Sequence, residues 1–149
     1  MPSARKETSS GFVIFREGSP RKFLFLTLRG RYDLPKGLKQ AGESDMAGAV
    51  RELREETGIT SPKAIQGFCC RKHYFYRWRD ELVSKDVVYF LAEYPVGEVV
   101  ISGEHDGYAW LTKEEAMSRL RYLTLRQVIM EADRFIDGIS QAKKPPQAL

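Results

Sequence analysis

Gly37–Ile59 reads GLKQAGESDMAGAVRELREETGI, and its pattern of charge decides how the rest of the chain is read. Ser44 is suited to cap a helix and Gly58 to stop one, which predicts a helix over Asp45–Thr57. Ala47, Val50 and Leu53 recur in it at helical spacing and predict its buried stripe. Glu52, Glu55 and Glu56 fall within an arc of roughly 100°. Carboxylates so placed repel by roughly a few tenths of a kcal/mol per pair, and Arg51, one turn before Glu55, relieves only part of this. The residues alone leave two readings open: a solvated acidic face, or a platform for a hard divalent cation such as Mg²⁺ or Mn²⁺, which prefers carboxylate oxygens.

Working outward, Ser10–Phe15 and Phe23–Leu28 are β-rich runs separated by Gly18, Ser19 and Pro20, and predict a strand, a turn and a strand. Tyr32–Leu34 is a short extended piece before Pro35, and Lys36–Glu43, with Gly37 and Gly42, reads as a loop. Beyond the helix, Ile65–Trp78 is extended in character, with His73, Phe75 and Arg77 on one side and Tyr74, Tyr76 and Trp78 on the other. Val87–Tyr94, Val99–Ser102 and Tyr108–Leu111 read as strands. Thr112 caps a helix beginning at Lys113, and a last helix covers about Thr124–Ile139, with Val128, Phe135 and Ile139 among its apolar positions. This order predicts an α/β fold, a mixed sheet with helices packed on it.

At 149 residues the chain is expected to be a single domain, 1–149, with an ordered core over about 8–140 and a flexible tail at 141–149 carrying Pro145 and Pro146. No apolar run approaches the roughly 18 residues of a membrane span, and the polar stretch Met1–Ser10 lacks a secretory core. Cys69 and Cys70 are adjacent, a poor arrangement for a disulfide or a zinc site, so reduced thiols and a cytoplasmic setting are expected. The net charge of +4 conceals an uneven distribution. Arg16–Lys39 holds seven basic residues against Glu17 and Asp33, the acidic cluster follows, and Arg71, Lys72, Arg77 and Arg79 come after it. Either these are solvated faces, or a cation platform lies beside an anion-binding surface.

The spacing Gly37, Glu43, Arg51-Glu52-Leu53, Glu55-Glu56, Gly58-Ile59 resembles the signature of the Nudix hydrolases at every defining position. The resemblance implies an α/β/α sandwich around a mixed sheet, with the signature as loop, helix and loop. It also implies hydrolysis of a nucleoside diphosphate linked to another group, using Mg²⁺ or Mn²⁺. By position, Glu52, Glu55 and Glu56 match the metal-binding acids, and the Lys36-Gly37 backbone matches a carbonyl ligand. Glu43 and Arg51 match an ion pair holding the loop to the helix. Glu52 and Glu55 are both candidate proton acceptors, and Glu104 is the expected assisting acid from a later loop. Lys36, Arg31 and Lys39 are candidates to bind phosphate oxygens.

Gly103–Leu111 (GEHDGYAWL) further resembles the diadenosine tetraphosphate hydrolases of that family, in its Glu-His pair, tyrosine and Trp-Leu. In those enzymes two tyrosines clamp an adenine. Tyr76 and Tyr122 match the pair, with Tyr74 as the alternative to Tyr76, and core or rim packing is the competing reading. Where that subfamily often carries a histidine before its Pro-Lys-Gly segment this chain has Arg31, a fixed charge in place of a proton donor. His73 and His105 read as ordinary structural or surface histidines, with His105 the functional candidate of the two because it adjoins Glu104. The leading expectation is asymmetrical hydrolysis of diadenosine tetraphosphate to ATP and AMP. The alternatives are a Nudix hydrolase of another polyphosphate (an inositol pyrophosphate, an RNA 5′ end or an oxidised nucleotide) and a catalytically silent module binding RNA or protein. The expected partner is a small nucleoside polyphosphate, with no membrane and no stable nucleic-acid partner, and a monomer slightly favoured over an oligomer.

Overall fold

The computed structural model describes residues 4–142. Its elements run β1 (Arg5–Arg16), β2 (Lys22–Leu28), β3 (Arg31–Asp33), β4 (Lys36–Leu38), α1 (Asp45–Thr57), β5 (Cys70–Trp78), β6 (Glu81–Glu93), β7 (Gly107–Leu111), α2 (Lys113–Arg119) and α3 (Leu123–Ala142). One mixed sheet has the order β3-β2-β1-β6-β5, with β4 pairing β1 and β7 pairing β2. β1 is the spine: it runs parallel to β6 over Arg5–Phe15 and antiparallel to β4 and β2.

Alternation along β1 and β2 builds the two cores. Phe12, Ile14 and Leu24 pack beneath α1 with Ala49, Leu53 and Ile59. Val13, Phe15, Phe23 and Phe25 face the opposite layer, where Val128, Ile129, Ala132 and Ile136 of α3 cover them. The architecture is the expected α/β/α sandwich, and among the described residues no helix is long and apolar enough to cross a membrane.

Several local expectations are corrected. Ala47 is exposed, and α1 buries Gly48, Ala49, Leu53, Glu56 and Thr57 instead. The cause is a close approach: a Cβ added to Gly48 would lie 2.8 Å from Ser10 Oγ, so only glycine lets the helix sit down on β1 there. The stretch read as a loop starts as strand β4, because its backbone completes the edge of β1 opposite Ser9, Ser10 and Gly11. Val99–Ser102 is not a strand; Val100 N–H donates to the Thr57 carbonyl at 2.9 Å, so this segment serves the end of α1 rather than the sheet. Ile65–Cys69 is likewise outside β5, with Gly67 turning at φ 97°. β6 begins six residues before the expected Val87, at Glu81, because it pairs with β5 from Trp78 onward. On α3, Phe135 and Ile139 are half-buried, and Leu125, Val128, Ile129, Ala132 and Ile136 form the buried stripe. Gln141 and Ala142, placed in the tail by the sequence, continue the helix; 143–149 lie outside the described residues.

Candidate active site

The helix α1 forms where its caps dictate. Ser44 Oγ accepts from Ala47 N–H at 3.0 Å, and Gly58 at φ 75° closes the C-terminus. The preceding loop is tied down by Glu43, which accepts from Gln40 N–H at 2.7 Å and from Arg51 Nε and Nη2 at 2.6 and 3.0 Å. Arg51 also donates to the Leu38 carbonyl at 3.0 Å, joining loop, strand and helix. The Arg51 guanidinium and the Gln40 amide pull the Glu43 carboxyl down to about 2.

The same guanidinium holds Glu52 Oε1 at 3.0 Å and Glu55 Oε2 at 3.2 Å. Glu55 is exposed, Glu52 half-buried, and Glu56 buried at 6% exposure. Burial, and then the adjacent Glu52 carboxylate, push the Glu56 carboxyl well above the usual range. His105, on the loop before β7, brings Nε2 to 3.9 Å from Glu56 Oε2, while its buried Nδ1 has no partner among the described residues. Gly37 lies directly against Glu52, and any Cβ there would collide with the carboxylate.

Among the described residues no three acidic, histidine or cysteine side chains are already gathered as a metal cage. Glu52 and Glu56 stand together and Glu55 is drawn to Arg51. The donor chemistry nevertheless fits a hard cation: two adjacent carboxyls, one buried without a full countercharge, beside a backbone kept bare by glycine.

Strand alternation in β4 sends Gly37 toward α1 and Lys36 to the opposite side. There Lys36 Nζ bonds Asp33 Oδ2 at 2.7 Å. Burial opposes its charge, but the Asp33 carboxylate outweighs that, and Lys36 stays protonated. It lines a cavity of about 530 Å³ with Arg31, Tyr74, Tyr76, Lys85 and Tyr122. Tyr76 comes from β5 and its hydroxyl donates to Glu7; Tyr122 is 55% exposed on the link into α3. Tyr74 and Tyr76 lie side by side, their ring centroids 6.2 Å apart, so both reach the cavity. Burial, together with the nearby Lys36, lowers the pKa of Lys85.

The expected site residues therefore separate into two groups. Glu43, Arg51, Glu52, Glu55 and Glu56 gather on α1 and its loop. Lys36, Arg31, Tyr76 and Tyr122 meet at the cavity. Lys39 goes to neither: its Nζ pairs with Asp45 at 2.9 Å. Glu104 is exposed on its loop, with its N–H 3.4 Å from Ser102 Oγ. Sequence reasoning missed Lys85, Tyr89 and Asp33 as cavity groups and underrated His105, the residue that approaches Glu56. Extending β6 back to Glu81 would have found Lys85, since 85, 87 and 89 share one face.

The NUDIX domain family model matches residues 6–132. The chain belongs to the Nudix family. It is 34% identical over 141 residues to the mouse bis(5′-nucleosyl)-tetraphosphatase [asymmetrical], covering 85% of this chain and 92% of that one. Among solved structures it resembles a C. elegans Ap4A hydrolase binary complex at a TM-score of 0.73 and 25% identity, covering 89% of this chain and 98% of the other. A MutT protein from Methanosarcina mazei matches at a TM-score of 0.69 and 27% identity over 97% of this chain. The chain is a Nudix hydrolase of phosphoric anhydrides, a family whose members generally use divalent metal ions.

Proposed function

We propose that this Nudix hydrolase cuts diadenosine tetraphosphate asymmetrically, releasing ATP and AMP. The observation that carries the reading is the join at Lys36-Gly37: paired carboxyls lie on one side of two consecutive residues, and a cavity lined by tyrosines and lysines on the other. The similarity to asymmetrical tetraphosphatases over most of both chains supports the same substrate class.

In this reading Tyr76, or Tyr74 beside it, and Tyr122 stack on one adenine, worth about 1–3 kcal/mol per base. Lys36 and Arg31 hold non-bridging phosphate oxygens, with Lys85 as a further cation. Glu52, Glu55, Glu56 and the Lys36-Gly37 backbone would hold Mg²⁺ or Mn²⁺, which supplies charge neutralisation at phosphate and a more acidic water. Glu55 must leave Arg51 to join them, and its 50% exposed side chain leaves room for that. A glutamate, Glu52 or Glu55, takes the proton as water adds to phosphorus and the bridging P–O bond breaks. One oxygen from water ends on one product, and the bridge oxygen leaves with the other. Glu104 is placed to assist only if its loop turns its exposed carboxylate inward. No membrane partner enters this reading, and the site requires only a small soluble polyphosphate.

The test is a substrate panel with Mg²⁺: diadenosine tetraphosphate, an inositol pyrophosphate, triphosphorylated RNA and an oxidised nucleoside triphosphate. The dinucleotide is expected to be the preferred substrate, with turnover falling on the order of a thousandfold in Glu56→Gln. Faster turnover of another member of the panel would replace it as the substrate.

A further inference from the structure

Next to the nucleotide cavity lies a second hollow of about 280 Å³ lined by four arginines: Arg29 from the turn between β2 and β3, Arg31 from the start of β3, Arg119 from the end of α2 and Arg121 from the link between α2 and α3. Arg31, Tyr32 and Tyr122 line both spaces, so the two adjoin. No acidic residue lines the hollow. Among the described residues, only Arg119 has a carboxylate partner, Glu115 at 3.6 Å, with both side chains nearly half-exposed. Asp106, beside the β2–β3 turn, is already engaged: it accepts from Arg29 N–H at 2.8 Å and from Thr27 Oγ1 at 2.9 Å, and these bonds lower its pKa.

That use of Asp106 explains how the hollow is kept in shape. Arg29 sits in the left-handed region at φ 52°, followed by Gly30 at φ 77°. This conformation is unfavourable for arginine and is held by the Asp106 carboxylate on its backbone. Nothing lies within 4 Å of where a Gly30 side chain would begin, which leaves the space above the turn open. Four positively charged side chains thus line one concavity, and a compact anion of high charge placed there is attracted by all of them. The planar donor fork of arginine matches phosphate oxygens in pairs.

We propose that this arginine hollow is a second phosphate site, separate from the carboxylate platform, that takes a phosphate dianion next to the bound nucleoside. Calling its neighbour the nucleoside's seat rests on the function proposed above; the arginine site itself does not. The dianion has two sources, a phosphate on the nucleotide's own ribose or a free polyphosphate.

Equilibrium binding without metal separates them. Calorimetric titration of the whole chain uses inorganic tripolyphosphate, AMP and adenosine 3′,5′-bisphosphate, on wild type and on Arg29→Gln/Arg121→Gln. The double variant changes exposed side chains, and an unaltered melting temperature confirms its fold. Tripolyphosphate affinity is expected to fall at least tenfold in the variant, with AMP affinity unchanged. A matching fall for the bisphosphate puts the dianion on the nucleotide; a fall for tripolyphosphate alone identifies free polyphosphate. Equal affinity of wild type and variant for both probes, or no binding of either by wild type, overturns the proposal. If diadenosine tetraphosphate is not turned over while this arginine-dependent binding persists, the proposed substrate fails and the arginine site stands.

Discussion

The two sides of the Lys36-Gly37 step are built in opposite ways. On the α1 side, Glu43, Arg51, Glu52, Glu55 and Glu56 come from fourteen consecutive positions, 43–56, and one guanidinium touches four of their oxygens. On the other side, Arg31, Lys36, Tyr76, Lys85 and Tyr122 come from β3, β4, β5, β6 and the entry to α3. The first is a local device whose geometry follows from helix periodicity and two caps. The second exists only after the sheet has closed. A local site concentrates charge where chemistry needs it, and a site assembled over long range supplies the concave, aromatic space that selects the ligand.

Each side can be disabled separately. The largest effect is expected from Glu56→Gln, which removes a buried carboxyl from the platform and leaves the cavity intact. Turnover should fall on the order of a thousandfold, the kinetic equivalent of several kcal/mol of transition-state charge stabilisation, while AMP binding without metal persists. Steady-state kinetics with parallel calorimetry check both halves. Lys36→Met acts at the join and should damage both sides. A charge-assisted bond worth about 1.5–3 kcal/mol predicts a loss of about 10- to 100-fold in kcat/KM, accompanied by weaker AMP binding. An effect confined to kcat would separate Lys36 from the cavity.

Tyr122→Ala tests the cavity alone. KM for the dinucleotide should rise about tenfold, or about 1.4 kcal/mol, with kcat nearly unchanged. An unchanged KM removes Tyr122 from the base site. The smallest effect concerns Glu43. Its carboxyl is pulled from 4.5 to about 2 in the folded state, so its ion pair with Arg51 stabilises the protein above pH 4.5 and is lost as pH falls toward 2. Glu43→Gln should lower the melting temperature at pH 7 by a few degrees, and the gap to wild type should close on acidification through that window.

The same contrast explains what was legible in the sequence. The α1 helix matches Asp45–Thr57 with both of its caps as read, because capping and glycine stops are local. The Glu43–Arg51 pair was reached through resemblance to a family, and its bonds join residues only eight positions apart. Its buried face was misread, since the contact of Gly48 with Ser10 depends on which strand lies beneath the helix. Tyr76 and Tyr122 were reached only through resemblance to a family. Lys85 was missed because its strand was started at the apolar run, six residues too late, and an apolar-run criterion passes over polar residues that face a cavity. The approach of His105 to Glu56 joins residues 49 positions apart and leaves no local trace.

In the proposed reaction the carboxyl platform directs water onto one phosphorus of a dinucleotide held by the cavity. Hydrolysis of diadenosine tetraphosphate in heavy-oxygen water with Mg²⁺, followed by mass analysis of the products, tests it most directly. ATP and AMP are expected in equal amounts, with the label on a phosphate oxygen of one product. Two molecules of ADP, a label on the ribose or no turnover would contradict it.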